Sequence, residues 1–322
     1  MAIGIAAGVY APGLTDALGN LEIGEVNVPI AIGLITMMYP PLAKVDFKTL
    51  PEVFKNKKLL GLSLLLNWIV GPLLMFALAV IFLQAYPHMM VGVIIIGLAR
   101  CIAMVLVWND ISNGDRTYGA ALVALNSLFQ VFTFSFYAWF FVTVLPTWFG
   151  LESIDIDVSF ALVAKNVFMY LGVPFILGIG GRKLLVSLKG EKWYTESYLP
   201  KVSPLTLISL LLTIILMFSL QGANIIADPK MVLIVSVPLM IYFVGMWVIS
   251  YFVGLKLGAD LPRNRAVAFT AAGDNFELAI AVAIGVFGLN SPEAMVGVIG
   301  PLIEVPALLL LVRLSNYLGR RT

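Results

Sequence analysis

Apolar residues along this chain come in long unbroken blocks, separated by short segments rich in charge, glycine and proline. Ten blocks stand out, at 1–18, 25–43, 59–84, 89–109, 116–146, 159–181, 200–221, 230–256, 264–289 and 294–318. A helix needs roughly 20 apolar residues to cross about 30 Å of hydrocarbon, and most of these blocks are that long. Runs such as Leu59–Leu83 show no period-two alternation, so they predict helices and not the strands of a barrel. The first block is the weakest: it is apolar from Met1, has no basic flank, and meets Pro12 and Asp16 early. A cleaved signal peptide would open on basic residues, so a short first helix is predicted instead.

Composition agrees with lipid as the solvent. Of 322 residues, 61% are hydrophobic and 12% charged, with a mean hydropathy of +1.00. A soluble domain would carry about 25% charged residues. The charges also sort. If ten helices alternate across a bilayer, all 20 basic residues except Arg100, Lys165 and Lys230 fall in or beside the connections of one side. Lys44, Lys48, Lys55, Lys57 and Lys58 follow the second block; Arg182, Lys183, Lys189, Lys192 and Lys201 follow the sixth. The other side holds Lys230 with Asp16, Glu22, Glu25, Glu152, Asp155, Asp157, Asp228 and Glu293. The excess of Lys and Arg in cytoplasmic loops predicts a multi-pass plasma-membrane protein, in the inner membrane of a bacterium, with both termini cytoplasmic. Nine or eleven helices would scramble the sorting.

Ten helices divide into two fives, and an odd number per half forces opposite orientations. The predicted fold is all-α, with inverted repeats spanning 1–150 and 151–322. Helices four and nine occupy matching places and are both interrupted by polar residues: Leu98-Ala99-Arg100-Cys101-Ile102-Ala103-Met104 in one, Ala271-Ala272-Gly273-Asp274-Asn275-Phe276-Glu277-Leu278 in the other. Matching discontinuous helices are the best sequence pointer to a solute site near the bilayer midplane. Charge at that depth is costly and faces a cavity or an opposite charge. The candidates are Arg100, Cys101, Asn275, Asn126 and Ser127 around a solute, with Glu277, Asp274 and Glu304 as groups that carry charge or protons. Each has a plainer reading: Cys101 as a small packing residue, Arg100 and Glu277 as a structural ion pair, Asp274 as a cap of the opened turn, and Glu304, between Pro301 and Pro306, as an acceptor for nearby backbone. His88, beside Pro87 in an outer loop, reads as a solvated side chain.

Several classes drop out. One cysteine and one histidine exclude an internal disulfide framework, a zinc cluster and a multi-histidine metal centre. No catalytic pair or phosphate-binding loop is present, so neither an enzyme nor a resident cofactor is expected, and ATP would act only through a separate subunit. The basic residues follow the membrane rather than a groove, which excludes nucleic acid as a partner. A channel would need no coupling carboxylate.

Gly97–Asp115 (GLARCIAMVLVWNDISNGD), Phe269–Gly288 (FTAAGDNFELAIAVAIGVFG) and Gly300–Leu310 (GPLIEVPALLL), with Pro40–Phe47 and Asn67–Phe76, resemble the arsenical-resistance efflux permeases of the bile acid/sodium symporter superfamily. The resemblance covers nearly the whole chain. It implies a panel domain and a core domain with two crossed, broken helices, and export of trivalent arsenite, in some members antimonite, driven by the proton gradient. The family's essential cysteine falls on Cys101 and its essential glutamate on Glu277. Two departures stand out: the family's amino terminus is usually longer, and an asparagine is expected where this chain has Asp274. Soft thiolate suits a thiophilic centre, Arg100 is expected to favour the thiolate form, and Asn275, Asn126 and Ser127 would bond the solute's hydroxyls. Sodium-coupled uptake of an organic anion, as in the bile-acid branch, is the alternative. Against it stand Arg100 and Cys101, where that branch is expected to carry small and hydroxylated residues.

Overall fold

A computed structural model of the protein describes residues 2–11, 13, 21–23, 26–45, 50–151 and 159–320. Pro12, Asp16, Glu25, Lys48, Glu152, Asp155, Asp157 and Arg321 lie outside the described residues, as does the side chain of Glu22. The chain runs α1 (Ala2–Tyr10), the hairpin β1 (Glu22–Ile23) and β2 (Val26–Asn27), α2 (Val28–Lys44) and α3 (Leu50–Lys55). It continues through α4 (Lys57–Leu83), α5 (Pro87–Leu98), α6 (Met104–Ile111), α7 (Arg116–Trp148), α8 (Phe160–Lys189) and α9 (Glu191–Gly222). The last elements are α10 (Pro229–Lys256), α11 (Leu261–Ala272), α12 (Phe276–Phe287) and α13 (Pro292–Leu318).

Helix stands in every apolar block of the sequence, but not every block is a full span. Six helices, α4, α7, α8, α9, α10 and α13, are long and apolar enough to cross a membrane. The described part of α1 has 9 residues and α2 has 17. The fourth and ninth blocks are broken, into α5 with α6 and α11 with α12. Large apolar side chains cover the outside of the bundle: Phe132, Ile81, Leu188 and Leu233 are each about 70% exposed or more. A water-soluble protein would bury such a belt. The chain is a multi-pass membrane protein.

Prolines shape the long helices from within. Four π turns, at Leu66–Val70, Phe140–Val144, Phe168–Gly172 and Tyr194–Tyr198, each end two residues before a proline: Pro72, Pro146, Pro174 and Pro200. Proline has no N–H to give the carbonyl four residues back, and its ring crowds that carbonyl. One extra residue in the turn relieves the clash and lets the helix continue. At Pro72 the orphaned acceptor is the Trp68 carbonyl, and the Tyr137 hydroxyl of α7 donates to it at 2.8 Å. This is also why α9 begins at Glu191, ahead of the predicted 200: the widened turn carries the helix through Pro200. Helix starts are set by side-chain caps, with Asn27, Asp115, Asp228, Asp260 and Ser291 accepting backbone N–H groups.

The helices pack in two groups. In one, α1 and α2 lie against α9, and α2 also against α8. In the other, α4 packs on α5 and α10, while α13 packs on α5, α10 and α12. The basic connections meet one another. The Asp115 N–H donates to the Pro262 carbonyl at 3.0 Å, Asn316 on α13 donates to Ile111 O, and Arg182 on α8 donates to Lys44 O and Val45 O. At another set of helix ends, His88 Nδ1 lies 2.7 Å from Glu293 Oε1, tying the start of α5 to that of α13. His88 is exposed, as the solvated reading expects, and is also the partner of a buried carboxylate. The pairing spans 205 positions of sequence, so no local pattern announces it.

Candidate functional site

Both broken helices open at the polar residues. α5 ends at Leu98, and the chain stays non-helical through Ala103 until α6 begins. α11 ends at Ala272, and Gly273 to Asn275 run extended before α12. The two open segments cross as a short antiparallel pair with Arg100 opposite Asp274. The Asn275 N–H donates to Ala99 O at 2.8 Å and the Cys101 N–H to Gly273 O at 3.3 Å. Each break thereby satisfies backbone groups that the other exposes, which is what non-helical backbone at membrane depth requires.

One buried ion pair locks the crossing. Arg100 Nη2 lies 2.8 Å from Asp274 Oδ1, and both side chains are 0% exposed. Arg100 Nη1 donates to the Tyr242 hydroxyl at 2.8 Å and to Ala271 O at 3.4 Å, and Nη2 also donates to Gly97 O. The Arg100 N–H donates to Gln130 Oε1. Gly71 of α4 makes the room: a methyl group there would sit 3.0 Å from Tyr242 Oη and 3.2 Å from Arg100 Nη1. The partner of Arg100 is Asp274, not Glu277, because the extended pairing sets residue 100 against residue 274 whereas Glu277 lies a turn further on, inside α12. Both Nη groups are committed to this pair, its tyrosine and two carbonyls, while Nε is buried with no partner among the described residues.

Beside the crossing lies a cavity of about 70 Å³. Its polar wall is Glu277 in the first turn of α12 and Glu304 of α13; Thr213 of α9 also lines it, with its hydroxyl buried, and the rest is apolar, including Met104, Leu210 and Phe276. Glu277 is half-buried. Glu304 Oε1 accepts the Asp274 N–H at 3.2 Å, so this carboxyl both faces the cavity and braces the opened segment. Cys101 is buried and does not itself line this cavity, its sulfur accepting the Val105 N–H at 3.3 Å. A methyl group on Gly273 would touch Cys101 Cβ at 3.3 Å and Glu304 Oε1 at 3.5 Å. The thiol and a cavity carboxyl thus flank the same glycine. Both α6 and α12 begin here, and their N-termini bring partial positive charge to the site.

The remaining candidates divide. Asn275 caps α12 through Oδ1, accepting the Leu278 N–H at 3.0 Å, while its Nδ2 is buried with no partner among the described residues. Asn126 and Ser127 sit on α7 away from the cavity wall. Asn126 Oδ1 accepts the Trp68 Nε1–H at 3.1 Å, and Ser127 bonds Val123 O within its own helix at 2.7 Å. Gln130, one turn further along α7, accepts the Arg100 N–H at the crossing. Tyr242 escaped the sequence reading because a tyrosine in an apolar helix looks like packing.

The sequence model of the Sodium Bile acid symporter family matches residues 31–228. The chain is 50% identical to the "Arsenical-resistance protein Acr3" of Corynebacterium glutamicum over 99% of its own length and 86% of that protein's. It is 32% identical to the protein of the same name from Alkaliphilus metalliredigens, over 98% of this chain and 88% of the other. It is 33% identical to an uncharacterised transporter of Synechocystis, over 98% and 85%. This is a family of transporters and not of enzymes. With its helical architecture and crossed breaks, the chain belongs to the Sodium Bile acid symporter family, in the branch of the arsenical-resistance permeases.

Proposed function

We propose that this protein exports arsenite, and antimonite with it, from the cytoplasm in exchange for protons. The observation that carries the reading is a single thiol and two carboxyls gathered at a crossing of broken helices beside a cavity of about 70 Å³. Relatives named for arsenical resistance support the substrate. The organic-anion alternative is disfavoured on that ground.

Near neutral pH arsenite is an uncharged trihydroxy species, so a largely apolar cavity does not repel it. The Cys101 sulfur attacks arsenic, one As–S bond replaces one As–O bond, and the thiol proton leaves with the displaced hydroxyl as water. Hydrolysis of that single bond reverses the step. Three thiols would hold the metalloid too tightly for turnover, whereas one permits capture and release. The Asn275 amide, with its free Nδ2, donates to a remaining hydroxyl. Glu277 takes up a proton when the site faces outward, and loading of the solute and of the proton exclude one another, which makes the exchange an antiport. Glu304 supports the opened segment through the Asp274 N–H. Arg100 and Asp274 hold the two breaks together and do not bind the solute.

The architecture in this reading is ten crossings in two inverted halves, 1–150 and 151–322. Helices α1, α2, α8 and α9 form a panel against a core of the others. Both termini and the basic connections face the cytoplasm of a bacterial cell, with the chain in the inner membrane. The mutual contacts of those basic connections support the alternation.

Cells expressing the intact chain are expected to accumulate less trivalent arsenic than cells without it, and Cys101→Ser is expected to bring accumulation back to the level without the transporter. Equal accumulation in the wild type and in cells lacking it sinks the export reading.

A further inference from the structure

A second cavity, of about 540 Å³, lies beside the first. Its wall carries Lys44, Asp110 and Arg116, so it opens at the face where the basic connections meet. Two side chains, Met104 and Leu210, belong to the walls of both cavities. Both are half-buried, as residues with a void on either side must be. Met104 is the first residue of α6 and comes three positions after Cys101; Leu210 stands on the facing side of α9. Thr206, one turn before Leu210, lines the larger cavity, and Thr213, one turn after, lines the smaller. The usual fate of a helical threonine hydroxyl is a bond to the carbonyl four residues back, as at Thr133 and Thr270. Neither Thr206 nor Thr213 makes such a bond, and neither hydroxyl has a partner among the described residues.

We propose that Met104 and Leu210 form an apolar inner gate between a cytoplasmic vestibule and the solute cavity, and that this gate selects for small uncharged solutes. The proposal rests on the export reading for what passes through it and for which side is cytoplasmic. An apolar constriction excludes ions and their water, because a charge cannot shed its hydration between two hydrocarbon side chains. A neutral trihydroxy solute sheds far less. Methionine has three rotatable bonds and adapts to irregular gaps, so Met104 swings aside without moving its helix. Its position on α6 means that the same swing uncovers the path to Cys101. The gate admits arsenite to the thiol while keeping hydrated cations away from Glu277 and Glu304, so that the exchange does not leak.

Cys101 is the sole cysteine, so thiol labelling reads this path without background. The test compares a neutral methanethiosulfonate with a positively charged, membrane-impermeant one, on everted vesicles and on right-side-out vesicles. The quantity read is the ratio of the two labelling rates in each protein. In the wild type the neutral reagent is expected to label Cys101 and the charged one barely at all. Leu210→Ala and Met104→Ala are each expected to raise charged-reagent labelling several-fold in everted vesicles only, and Leu210→Trp to slow both reagents. Identical ratios in wild type and both alanine variants overturn the gate, as does equal entry of the charged reagent from the opposite face. Because alanine and tryptophan at one position must move the rates in opposite directions, general loosening of a poorly folded variant does not mimic the result. None of these labelling arms contains arsenite. A separate arm, in which arsenite protects Cys101 from the neutral reagent, reads the substrate alone, so failure of the gate and failure of the export reading are told apart.

Discussion

Asp274→Ala is expected to destabilise the folded protein by about 3–5 kcal/mol, the cost of leaving one member of a buried ion pair without its partner. Arg100 and Asp274 are both fully buried at 2.8 Å. Removing the carboxylate strands a guanidinium whose remaining partners, the Tyr242 hydroxyl and two carbonyls, carry no charge. The double variant Arg100→Met with Asp274→Leu removes both charges and is expected to recover most of the loss, since apolar replacements of whole buried pairs are often neutral or better. Thermal unfolding in detergent, by tryptophan fluorescence, measures both. A single variant as stable as the wild type contradicts the claim that this pair locks the crossing.

Glu277→Gln is expected to reduce proton-driven uptake of arsenite into everted vesicles to that of vesicles without the protein. The substitution conserves volume and keeps a polar group in the first turn of α12, so the cavity keeps its shape while its wall loses a site for the proton. Glu304→Gln separates the two carboxyls that line the cavity. Its amide oxygen still accepts the Asp274 N–H, as Glu304 Oε1 does at 3.2 Å, so coupling is expected to survive in large part. Unchanged uptake in Glu277→Gln, or complete loss in Glu304→Gln alone, assigns the proton to the wrong residue here.

Much of this was legible because lipid leaves few options. The breaks were visible in Arg100-Cys101 and Gly273-Asp274-Asn275, since polar residues and glycine at mid-block mark an opened helix. Hydropathy could not give helix lengths, because it reports where lipid ends and not where the helix does. α8 runs on to Lys189, past the predicted 181, through Arg182 and Lys183 in the polar zone. Partner choice was the harder problem. Asp274 and Glu277 stand three residues apart, and only the extended conformation at 273–275 decides which one meets Arg100. Asn126 and Ser127 read as solute ligands from polarity alone, yet the indole that occupies Asn126 comes from Trp68, 58 positions away. Met104 and Leu210 carry no polar signal at all. Their place between two cavities comes from α6 and α9 lining the same gap, which no local pattern encodes.

The central claim is that one thiol at the crossing takes the metalloid directly. X-ray absorption at the arsenic edge, on purified protein loaded with arsenite, measures the atoms bonded to arsenic. The account predicts one sulfur and two oxygens in the wild type and oxygen alone in Cys101→Ser. A shell of oxygen only in the loaded wild type contradicts it.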